Sequence, residues 1–153
     1  MHISEQKSLL EMIEHQDFSE MNAAFAAQKG LDPLAVKALE KELKRYFFLI
    51  RLNRSQYGIS GVLDEYWHAA ILRTQFYHDL CEAVFGQYLH HQPDGGGDGE
   101  GVDMRYVRFL VDYRLYFGEP PPFHIWPLSQ ELFAPQPVFS RGPQCIAPCF
   151  WAA

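Results

Sequence analysis

The stretch "LDPLAVKALEKELKRYFFLIRLN", residues 31–53, leaves the chain the least freedom. Asp32 is a good N-cap and Pro33 suits the first helical position. From there Val36, Leu39, Leu43, Tyr46, Phe47, Ile50 and Leu52 follow the helical period. Glu40 and Lys44 form a favourable pair one turn apart. The turn residues of "NRSQYGISG", Asn53–Gly61, then predict a loop.

The remaining segments are also helical. Ser4 and Ser19 offer N-caps for two helices before Asp32, the second ending near Gly30, a residue suited to the left-handed position after a helix. "DEYWHAAILRTQFYHDLCEAVFGQYLHH", residues 64–91, predicts one long helix or two meeting near Thr74. "VDMRYVRFLVDYRLYF" predicts a last helix, stopped by Gly118 and the prolines after Glu119. Its aromatic run, Tyr106, Phe109, Tyr113, Tyr116 and Phe117, is core at helical spacing. The fold expectation is an all-α single domain over residues 1–153, an irregular bundle of about five helices with its core in 30–127. An acidic, glycine-rich loop at Gln92–Gly101 is expected to be mobile. A proline- and aromatic-rich segment, residues 118–153, is expected to pack across the helices as extended chain.

Composition excludes several classes. With 48% apolar and 15% aromatic residues, wholesale disorder is ruled out. No apolar run nears the ~18–20 residues of a membrane span, and the first residues lack a signal-peptide pattern. A cytoplasmic protein is the default expectation. A net charge of −6 argues against nucleic acid as a partner. The glycine-rich loop carries negative charge and so does not suit phosphate; its carboxylates do not fit the EF-hand pattern. No GxSxG elbow exists. Three cysteines cannot all pair within one chain. Cys81 faces the core, which removes it and His78 as a catalytic couple.

Residues 64–91 hold four of the seven histidines. At 100° per residue, Asp64 and His68 share a polar stripe, while Tyr66, Ala70, Tyr77, Leu80, Cys81 and Val84 lie opposite as a core face. Asp64 and His68 stand one turn apart, a spacing that suits two metal ligands or a carboxylate orienting an imidazole. The plainer alternative is a solvent-facing stripe. His90 and His91 form a second cluster, placed at a helix C-terminus because Pro93 follows. His124 and the thiols of Cys145 and Cys149 are candidate partners for a zinc-type site there. On regular helices, His68 and His90–His91 stay more than about 15 Å apart. The expectation is therefore two separate candidate metal clusters, Asp64/His68 and His90/His91 with Cys145 and Cys149, and zinc or another transition metal as the cofactor either would take.

Several short patterns together resemble the glycine-rich-domain-containing-protein-like family. The matching positions are Asp64, Trp67, His68, Ile71, Leu72, Thr74, Tyr77, Cys81, Gly86, His90, His91 and Pro93, with "YRLYFGEPPPFHIWP" at Tyr113–Pro127. The resemblance covers roughly residues 30–127 and implies an all-helical domain with no established reaction. Where the family pattern reads "WHxH", this chain reads "WHAA", and Ala70 supplies no donor.

Two functions follow. The favoured one is a non-catalytic interaction or accessory module, binding a protein or peptide partner, or a second copy of itself, through the aromatic C-terminal segment. The alternative is a metal-binding protein or metalloenzyme using histidine and carboxylate ligands.

Overall fold

The computed structural model describes residues 2–91, 104–127 and 149–150. Among them are six helices: α1 (Ile3–Glu14), α2 (Ser19–Lys29), α3 (Pro33–Asn53), α4 (Gly61–Leu72), α5 (Thr74–Phe85) and α6 (Met104–Phe117). Two short strands, β1 (His90–His91) and β2 (Cys149–Phe150), pair antiparallel. The described residues are mostly helical, as expected, apart from this strand pair. The expected mobile loop at 92–101, the segment from Leu128 to Pro148 and the thiol of Cys145 lie outside the described residues. No helix among the described residues is long and apolar enough to cross a membrane.

The central element is α3. The Asp32 carboxylate accepts a hydrogen bond from the Leu34 N–H at 2.7 Å, and Pro33 opens the helix, as its sequence predicts. Arg54, at φ 49°, ends it. Between Glu42 and Ile50 this helix is buried almost all round, because α1, α2, α4, α5 and α6 each pack against it. Tyr46 and Phe47 meet Trp67 of α4, and Phe109 of α6 stacks on Trp126 at 4.1 Å. Within the C-terminal segment, Ile125 and Trp126 are buried, and the Tyr106 hydroxyl donates to the Pro127 carbonyl.

Two charged residues of α3 sit inside this packing. Burial opposes ionisation of Glu40, but hydrogen bonds from Lys37, Lys44 and Asn22 outweigh it and hold its pKa below the ordinary value. Glu42 shows the opposite balance. Burial raises its pKa, and donors from the Trp126 indole and the Tyr113 hydroxyl only partly offset that.

Several boundaries differ from expectation. The first helix begins at Ile3 rather than being capped by Ser4, and Ser19 is the first residue of α2. Asp17 takes up the Ser19 N–H. The two-helix alternative for residues 64–91 is the one observed, α4 and α5 meeting near Thr74, but the cap residue is Arg73 (φ −90°, ψ 74°) and Thr74 is the first residue of α5. The larger correction concerns the far end. The second helix stops at Phe85 because Gly86 adopts the left-handed conformation, φ 69°, and its N–H closes onto the Glu82 carbonyl. His90 and His91 are therefore in a strand, not at a helix C-terminus.

Candidate metal centre

Asp64 is carried on the first turn of α4, and its side chain is only 6% exposed. The solvent-facing alternative for this stripe fails at Asp64, because α4 turns its carboxylate inward. One turn later the His68 Nδ1–H donates to the Asp64 carbonyl, 2.8 Å away, with Asp64 Oδ2 at 3.2 Å. An imidazole anchored through Nδ1 to a carbonyl keeps its proton there, leaving Nε2 as the lone-pair donor.

The third member is His91. Its ring sits 4.5 Å from that of His68, and its Nε2 lies 2.8 Å from Asp64 Oδ1. The His91 side chain is 3% exposed. Asp64, His68 and His91 each offer one ligand atom such that all three atoms fall within 4.8 Å of one another. This overturns the separation of the histidines into two clusters. The two clusters would be far apart only if α5 ran on to His90; α5 spans 12 residues, about 18 Å at 1.5 Å per residue. The six residues from Gly86 to His91 can reach about 20 Å when extended, enough to carry His91 back to α4.

Two contacts fix this return. The Trp67 indole N–H donates to the Tyr77 hydroxyl at 3.1 Å, and that hydroxyl donates to the Leu89 carbonyl at 2.7 Å. The Leu89 N–H meets the Cys81 sulfur at 3.5 Å. Leu89 is thus held at both backbone groups by the core face of α5, two residues before His91. Burial pushes the Cys81 thiol up, which suits this packing role and not a nucleophile. Trp67 completes the frame by stacking on His91.

Of the other sequence-predicted candidates, His90 and His124 do not join, and the thiols of Cys145 and Cys149 are not among the described atoms. His90 is exposed and packs edge-on against Tyr88. The backbone of Cys149 pairs opposite His91, and Cys145 lies outside the described residues. His124 is exposed. The missed connection had one available signal, the Gly86 stop.

The polar atoms of this cluster are poorly satisfied. Asp64 Oδ1 and both ring nitrogens of His91 are buried without a hydrogen-bond partner. The 2.8 Å approach of Oδ1 to Nε2 lacks the alignment of a hydrogen bond. Buried unsatisfied atoms are costly in native proteins, and here they converge. His68, 42% exposed, borders both this cluster and a shallow groove that includes Phe25, Lys29, Glu65 and Arg73.

The chain belongs to the UCP032817-like family, whose model matches residues 8–96. That span includes α2 to α5 and all three residues of the cluster. No curated protein and no solved structure matches the chain.

Proposed function

We propose that the protein binds a divalent transition-metal ion through Asp64, His68 and His91. The observation that carries this reading is the convergence of buried Asp64 Oδ1 and His91 nitrogens, 2.8 Å apart at the nearest and making no hydrogen bond, beside an imidazole whose Nδ1 is already anchored. A cation would satisfy Asp64 Oδ1 and one ring nitrogen of His91 together. Two imidazoles and one carboxylate suit zinc, iron, manganese or cobalt, and three protein donors leave at least one coordination position for water or an exogenous ligand. The residues that carry the resemblance to the glycine-rich-domain-containing-protein-like family include Asp64, Trp67, His68 and His91, so that resemblance belongs to the same reading.

The partner-binding reading rests on residues that mostly lie outside the described ones and gains no specific support from the geometry. Elemental analysis of protein purified without a histidine tag tests the metal reading. One equivalent of metal in the wild type, lost in His68→Ala and in His91→Ala, is the expected result. Metal-free wild-type protein that stays so after incubation with zinc, iron(II), manganese(II) and cobalt(II) salts would contradict it.

A further inference from the structure

Of the three side chains in the cluster, those of Asp64 and His91 are almost wholly buried, whereas that of His68 is 42% exposed. A molecule that reaches an ion held there comes past His68. The same side chain lines the groove between α2 and α4, a cavity of about 330 Å³. An ion bound to a histidine nitrogen lies ~2.0–2.1 Å from it, so it would stand one bond length from a residue of the groove wall. Met21 and Phe25 of α2 are buried, and with Ala69 and Leu72 of α4 they give the groove an apolar surface. Its charged residues are Lys29, Glu65 and Arg73, two cations against one anion. Lys29 pairs with Glu65, and Arg73 pairs with Glu20 at 3.0 Å. Exposed pairs of this kind give up a partner at little cost. The balance has the same sign at the ion, because Asp64 is the one anionic ligand of the three and leaves a divalent cation with net positive charge.

We infer that this groove binds a small organic monocarboxylate with an apolar body, its carboxylate on the open position of the metal and its body along Phe25, Ala69 and Leu72. The inference rests on the metal reading above. Charge selects the head group, since both the ion and the net charge of the groove favour an anion. Size and polarity select the body. At the ~30 Å³ that a water molecule occupies in the liquid, the cavity takes on the order of ten non-hydrogen atoms, the size of an aryl or branched alkyl acid, and its apolar wall rewards burial of such a body.

The test uses the full chain loaded with cobalt(II), with acetate and phenylacetate as probes and the cobalt visible absorption as the readout. Both anions should change the wild-type spectrum, and phenylacetate should bind about tenfold more tightly, the scale of partly burying a phenyl ring. Leu72→Glu, at a position 82% exposed, puts a negative charge on the wall. Ala24→Trp adds bulk from the α2 side of the groove. Each variant should keep its cobalt and its acetate affinity and lose the preference for phenylacetate. A wild type that binds both anions alike, or neither, would overturn the groove assignment while leaving the metal reading standing. A preference that survives in both variants would do the same. A wild type that takes up no cobalt would overturn both.

Discussion

Trp67 lies flat on the imidazole of His91, with ring centroids 4.3 Å apart and planes 17° from parallel. Adjacent in sequence to His68, it links the two histidines of the cluster from the core side. Its N–H continues through Tyr77 to the Leu89 carbonyl. Removing the central hydroxyl with Tyr77→Phe leaves a buried donor and a buried acceptor unpaired. We predict a loss of about 2 kcal/mol or more in urea unfolding, and a 10–100-fold loss of metal affinity, the common cost of removing a supporting hydrogen bond around a metal site.

His90 and His91 are neighbours in a strand, and successive strand side chains point to opposite faces. The structure has His90 exposed and His91 buried in the cluster. His90→Ala should therefore retain the metal equivalent that His91→Ala loses. Equal loss in both variants, measured by elemental analysis, would contradict the assignment.

Gly86 makes the return of the chain possible. A Cβ there would meet no atom within 4 Å, but the φ of +69° strains any side chain. Gly86→Ala should cost about 1 kcal/mol of stability in denaturant unfolding. Because the penalty falls at the turn that delivers Leu89 and His91, metal affinity should fall with it. Gly86→Asn, better tolerated in the left-handed region, should lose less of both.

Glu40 and Glu42, two residues apart on α3, should respond to pH in opposite directions. The pKa of Glu40 is lowered on folding, so it contributes stability above its ordinary value of 4.5 that is lost as pH falls through the folded value. Glu40→Gln should lose on the order of 2 kcal/mol at neutral pH and show a shallower fall in stability below pH 4.5. The pKa of Glu42 is raised by burial, so stability declines as pH rises from 4.5 through its folded value. Glu42→Gln should remove that decline. Unfolding midpoints across the acid range check both signs.

Much of the fold was legible because its signals are local. The Asp32–Pro33 start, the Gly30 stop, the loop after Asn53 and the core face of Tyr66, Ala70, Tyr77, Leu80, Cys81 and Val84 all follow from periodicity and capping, and the structure keeps each of them. The site was only half legible. Asp64 and His68 are one turn apart on one helix, so spacing alone pairs them. His91 reaches them through a reversal set by one glycine and by hydrogen bonds that Leu89 accepts from Tyr77 and donates to Cys81. Long-range contacts of that kind leave no periodic trace. Gly86 could have been taken as a helix stop, but on the helical wheel it also fits the polar stripe.

The central claim is that Asp64, His68 and His91 share one ion. Crystals of the protein soaked in zinc, with anomalous diffraction collected at the zinc edge, test it most directly. We expect a single strong peak about 2.0–2.2 Å from one oxygen of Asp64 and one nitrogen each of His68 and His91. No peak there, with Asp64 and His91 paired as an ion pair instead, would contradict it.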